Sequence, residues 1–216
     1  MNLPQWALRA ALVVVSLGLW HWTQALIAKR GFPEGRIGDR LLDLTAPLHR
    51  FLLEQPRWAD RLLILTSALV DLLGLFLLAL AIWGPSVRPF LGLLILFTLR
   101  QACQGLCALP SPEGMIWRDP GVPSLFVTYG TTSDLFFSGH TALAVYGCLE
   151  LAHFGGPAGV AVGLVVALLE VAAVIVLRAH YTMDVFAGAV TALWVWTIVW
   201  TVAPPVDLFL ARLAAG

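Results

Sequence analysis

The sequence predicts an all-α polytopic membrane protein with six transmembrane helices and an amphipathic helix on the membrane surface. Two observations carry that prediction. Hydrophobic residues make up 59% of the 216 and charged residues 12%, with a mean hydropathy of +0.85; a soluble domain usually carries about 25% charged residues. Apolar runs also recur at roughly the 20-residue length that a bilayer-spanning helix requires. They fall at about 6–28, 62–83, 89–109, 135–154, 158–178 and 181–203.

The first run ends in "ALIA", as a cleaved secretion signal does, but its length and the position of Arg9 favour a retained span. Residues 29–61 alternate charges with Leu, Ile and Phe, the pattern of a helix lying on a membrane surface. The 84–88 and 155–157 links read as tight turns. Residues 110–134 are rich in Pro, Gly and Thr and read as an ordered loop without regular structure. Without a repeat or low-complexity segment, 1–216 reads as a single six-helix membrane domain, with its candidate chemistry within 100–188. Cys103, Cys107 and Cys148 lie in the spans and are expected as small buried side chains, not as a disulfide framework. Trp194, Trp196 and Trp200 suit an interfacial aromatic belt at the far end of the last span.

Six spans place both long loops and the 179–181 link on one face of the membrane. His140 and His180 then share one end of the bundle. His180 and Asp184 are four apart, so on a helix they share a face. A carboxylate there takes a hydrogen bond from one ring nitrogen and leaves the other its lone pair. His140 supplies a second proton-handling group.

Two imidazoles and a carboxylate suit phosphoryl chemistry: one ring attacks phosphorus and the other protonates the departing oxygen, with no metal or cofactor required. Ser138 and Gly139 would start a helix whose free N–H groups attract a phosphate. Ala144, Gly147, Ala187 and Gly188 would let the helices approach closely. The plainer alternative is a packing histidine and a structural His–Asp pair, although ionisable groups inside a membrane are functional candidates by default. Arg100 either contacts phosphate or neutralises Asp71 across the bundle. Glu150 and Glu170 fit packing acids, ligand groups or partners of Arg178 equally well. His21, His49 and His153 read as structural or exposed.

"DLFFSGHT" (134–141) and "AHYTMDV" (179–185) resemble the two catalytic motifs of the lipid phosphatase and phosphotransferase superfamily. They are most similar to the branch of the sphingomyelin synthases and the plant phosphatidylcholine:diacylglycerol cholinephosphotransferases. "LRQACQGLCALPSPEG" (99–114), with Arg100 upstream of an LP-x-P turn, adds to the likeness, and "LPSPEG" leans toward the plant enzymes. "GDRLLDL" (38–44) is a faint echo of an acidic motif of the sphingomyelin synthases. The similarity covers roughly residues 90–195. It implies His180 as nucleophile, Asp184 as its orienting partner, His140 as general acid and then base, and a six-span fold.

Hydrolytic members of the superfamily hold a phosphomonoester dianion with a Lys…Arg-Pro motif and an Arg six residues before the second histidine. Here Ala81 stands at the Lys position before "VRP" (87–89), and Val174 at the later Arg position. Fewer cations suit a phosphodiester, and hence a transferase. The resemblance therefore implies a phosphocholine-type headgroup moved from a phospholipid donor to diacylglycerol or ceramide through a phosphohistidine. Arg100, Ser138 and Gly139 would meet the phosphate. Glu113 or Asp119, with Trp117, Tyr129 or Tyr181, would hold a headgroup cation; solvated loop charge is the alternative for both acids.

The rival expectations are a phospholipase C-type or lipid phosphate hydrolase, and a non-catalytic lipid binder. The expected partners are the two lipids and the bilayer, with no nucleic acid and homo-oligomerisation left open. Eight basic residues (Lys29, Arg30, Arg36, Arg40, Arg50, Arg57, Arg61, Arg118) on the histidine side, against three (Arg9, Arg88, Arg212), place that face in the cytoplasm. The resemblance implies the lumenal or outer face instead.

Overall fold

A computed structural model describes residues 4–29, 37–129 and 135–215. All regular structure in these residues is helical: α1 (Gln5–Ala28), α2 (Arg40–Leu44), α3 (Ala46–Glu54), α4 (Pro56–Trp83), α5 (Arg88–Leu106), α6 (Gly139–Val176) and α7 (Thr182–Ala215). Local chemistry sets the ends. Asp39 caps α2 by accepting the N–H groups of Leu41 and Leu42, and proline sits in the first turn of α3, α4 and α5. The Gly84 N–H closes α4 onto the Leu80 carbonyl at 2.8 Å. A Cβ at Gly84 would stand 2.2 Å from that oxygen.

The expectation of six spans is corrected. Four helices among the described residues, α4 to α7, are long and apolar enough to cross a membrane. α1 is not among them. Most of the windows 135–154 and 158–178 falls within one helical element, α6, broken at Gly156 (φ 55) just before Pro157. There the chain doubles back: a Cβ on Gly163 would lie 2.8 Å from the Cα of Cys148. In a straight helix those residues would be about 22 Å apart. α6 is thus a hairpin whose two ends lie at the same end of the bundle.

Among the described residues of the 29–61 region stand two short helices, α2 and α3, and the first turns of α4. α3 docks through buried His49 and Leu52 and turns Leu48, Phe51 and Leu53 outward; residues 30–36 lie outside the described residues. Packing between α1, α4, α5, α6 and α7 builds the main core around Leu77, Ala81, Leu143, Tyr146, Val195 and Val199. Gly92 admits the Tyr146 hydroxyl, which its own Cβ would meet at 1.9 Å. At the far end Arg88 pairs with Glu150 at 2.7 Å under the rings of Trp196 and Trp200. Trp194 and Trp200 are exposed, as a belt requires, while Trp196 packs edge-on against Tyr146. The three cysteines are free.

Candidate active site

Three chain segments meet at the start of α6. Ser138 caps it, its hydroxyl oxygen accepting the Thr141 N–H at 3.3 Å, while its own N–H donates to the Asp184 carbonyl at 3.0 Å. A Cβ on Gly188 would stand 2.6 Å from the Ser138 carbonyl oxygen, so only glycine lets α7 approach this closely. From α5, the Arg100 Nε donates to the Phe137 carbonyl at 2.9 Å. Gly139 makes room for it, since a Cβ there would lie 2.9 Å from the same nitrogen.

His180 arrives differently from the expectation. It does not share a helix with Asp184, because Arg178 takes a left-handed backbone (φ 53), ending the second arm of α6, and α7 begins only at Thr182. The start of the link is tied down twice. The Arg178 Nη1 donates to the Glu113 carbonyl at 2.7 Å, and the Ile116 N–H donates to the Leu177 carbonyl at 2.8 Å. Asp184 Oδ2 accepts the Tyr181 N–H at 2.9 Å, a capping role, and lies 3.7 Å from His180 Nδ1. That separation is an ion-pair distance, longer than the hydrogen bond the spacing suggests.

His140 and His180 nevertheless line one cavity of about 40 Å³, together with Arg100, Gly139, Trp117 and Thr128. The Trp117 ring stands edge-on to His140 at 5.2 Å, and its Nε1 donates to the Thr128 carbonyl. Buried His140 Nε2, His180 Nδ1 and Asp184 Oδ1 have no hydrogen-bond partner. Buried polar atoms are normally satisfied, and clusters of exceptions mark sites under functional constraint. Two imidazoles and a guanidinium around so small a space can hold an anionic group of a few atoms and pass protons to it.

Of the other expected residues, Trp117 lines the cavity and Ser138 is fully buried behind it. Tyr181 packs in a second apolar cluster with Val174, Leu177 and Val185, apart from the cavity lining. Glu113 is exposed and offers its backbone, not its carboxylate, to Arg178. Asp119, with Trp117 and Tyr129, lines a wider cavity of about 570 Å³ on the other side of the tryptophan. Asp71 accepts the Ser124 hydroxyl and the N–H groups of Leu125 and Phe126, which holds the loop over the bundle. Glu150 belongs to Arg88, not Arg178. His49 is structural: its Nδ1 lies 2.8 Å from the Val176 carbonyl oxygen.

Sequence reading met Asp39 only as part of "GDRLLDL" and missed its role: it accepts both the N–H and the hydroxyl of Thr182 at 2.6 and 2.7 Å and so anchors the residue two beyond His180. The available signal was an Asp directly before "RLLDL", an N-cap pattern. Trp20, Phe97 and Phe126 also line the cavity, and no local signal marks them.

Fold and site define an integral membrane protein of helical build, with a buried histidine cavity at one end of its bundle. The family model AtPDCT1/2, of the plant phosphatidylcholine:diacylglycerol cholinephosphotransferases, matches residues 39–200, from the cap of α2 to just past the middle of α7. The chain belongs to this family, which implies a lipid cholinephosphotransferase. No curated protein and no solved structure gives a significant match to the chain.

Proposed function

We propose that this protein transfers a phosphocholine-type headgroup from a phospholipid to a lipid alcohol, diacylglycerol foremost and ceramide second. The observation that carries this reading is the meeting of Arg100, His140 and His180 around one cavity in a chain of this family. With Nδ1 turned toward Asp184, His180 presents Nε2 to phosphorus. The P–N bond forms as the P–O bond to the donor's glycerol breaks, and His140 gives that oxygen its proton, releasing diacylglycerol. His140 then takes the proton of the acceptor hydroxyl, whose oxygen attacks phosphorus and breaks the P–N bond. Arg100 offsets the single charge of the phosphodiester. The headgroup cation enters the wider cavity beyond Trp117, where Asp119 and the Trp117 and Tyr129 rings provide a carboxylate and two aromatic faces.

The test uses phosphatidylcholine labelled in its headgroup, with and without diacylglycerol or ceramide, and protein in vesicles. Label should move to the added alcohol, and an acid-labile label should be trapped on His180. Full turnover in His180→Ala refutes the nucleophile. Free phosphocholine released at a rate independent of acceptor makes the protein a phospholipase C-type hydrolase instead.

A further inference from the structure

The catalytic cavity has room for a phosphoryl group but not for a phospholipid, so the rest of the substrate must lie elsewhere. A second, shallow groove, about 50 Å³ as a cavity and open along its side, runs along the flank of the bundle between α1, α4 and α5, lined almost wholly by apolar side chains. Half-buried Leu17 of α1 and Leu94 of α5 and the buried Phe90 of α5 line its remaining length. Trp20, Phe97 and Phe126 line both this groove and the histidine cavity. The two spaces therefore share a wall of three aromatic rings. From Phe97 to Phe90 the groove follows α5 away from Arg100, over about 10 Å of helix axis. Leu17, Leu94 and Phe97 are half-buried, so the groove is open sideways.

A further observation shows that this wall is built in. The Phe126 ring sits so close to α4 that a Cβ on Gly74 would come within 2.3 Å of it. The Asp71 carboxylate, one turn earlier, fixes the Phe126 backbone at 2.9 Å. Glycine and carboxylate together place an aromatic ring at the junction of the apolar and polar spaces.

We infer that the groove between α1 and α5 is an acyl-chain subsite, holding one tail of the lipid whose phosphate or hydroxyl sits between His140 and His180. This deepens the reading above and rests on it. Lipid then reaches the histidines sideways from the bilayer, past Trp20 and Phe97, without leaving the membrane. Removing an acyl chain from water is not the gain here, because lipid already surrounds the groove; the gain is registry. A tail seated against α5 fixes the depth of the headgroup, so the reacting atom arrives at the height of the two rings.

Leu17→Trp and Leu94→Trp, each filling the groove, test this in vesicles and lie outside the catalytic machinery. With long-chain phosphatidylcholine and diacylglycerol, kcat/KM should fall at least tenfold, with kcat falling too because the reacting atom loses its registry. With dihexanoyl substrates, whose tails are too short to need the groove, both constants should stay within twofold of the parent. Equal effects on long and short chains, or no effect on either, overturn the subsite. A phosphatidylcholine carrying a photoreactive diazirine in its tail gives a readout that needs no turnover. It should label Leu17, Phe90 or Leu94 in the parent, competed by unlabelled lipid and lost in Leu94→Trp. Labelling spread evenly over the outer faces of α6 and α7 also overturns the subsite. If the parent transfers no headgroup at any chain length while the photolabel maps to the groove, the reaction reading fails and the subsite stands.

Discussion

The Asp39 carboxylate holds both donors of Thr182, the N–H at 2.6 Å and the hydroxyl at 2.7 Å, across 143 residues of sequence. One acid thus caps α2 and pins the first residue of α7, directly beyond the turn that presents His180.

Replacing Asp39 with Asn should cost about 1–3 kcal/mol, as expected for a charged acceptor of several hydrogen bonds. Burial pushes the Asp39 carboxyl up, but the hydrogen bonds from Thr182, Leu42 and Leu41 outweigh it and bring its pKa below the usual 3.8. A depressed carboxyl contributes stability that is present above the unfolded value and lost as pH falls through the folded one. The gap in melting temperature between the parent and Asp39→Asn should therefore be constant from pH 5 to 8 and close below about pH 4. Thermal melts in detergent across that range check this; a gap that widens in acid contradicts it.

His49 should make the protein acid-sensitive nearer neutrality. Burial, and then the charge of Arg178, lower its pKa from 6.5. The unfolded chain therefore binds the proton first, so stability is lost as pH falls below about 6.5 toward the folded value. Melting temperature should drop between pH 7.5 and 5.5 in the parent and drop less in His49→Gln, itself less stable at pH 7.5. Parallel pH curves for the two proteins would show that His49 is not the group responsible.

Gly139→Ala places a methyl 2.9 Å from the Arg100 Nε, which must move. Displacing a positioned group by an ångström costs up to about 100-fold in rate. Headgroup transfer should fall by about 10- to 100-fold with the melting temperature nearly unchanged. Unchanged transfer would mean that Arg100 has no positional role.

The Arg88–Glu150 pair is a stability device at the opposite end of the bundle from the histidines. Glu150→Ala leaves a buried guanidinium without its carboxylate and should cost about 3–5 kcal/mol. The double change Arg88→Met with Glu150→Leu should recover most of that loss, because both desolvation penalties vanish together. Chemical denaturation of the three variants checks it; a double variant as unstable as the single one contradicts the argument.

Much of the site was legible in the chain because its chemistry sits in short motifs. "FSGH" and "AHYTMD" announce an imidazole at the start of an apolar run and an imidazole near an acid, and hydropathy alone places both at one end of a bundle. Ser138 at a helix start was also readable from local pattern, whereas Trp117 stood only as one of three aromatic candidates for a headgroup cation. The relation of His180 to Asp184 was not. A spacing of four implies a shared helix face, yet the left-handed turn at Arg178 puts the histidine outside α7.

By itself, then, the sequence determined the class: an apolar helical bundle with histidines, an arginine and an acid in positions where hydrocarbon makes ionisable groups costly. Composition and periodicity are local properties, and they act through the solvent. Only tertiary structure decided that α6 folds back on itself, that Asp39 locks α7, and that the polar cavity shares an aromatic wall with an apolar groove. Each of these depends on contacts between residues far apart in the chain, where glycine clearances and buried hydrogen bonds, not solvent preference, select the arrangement.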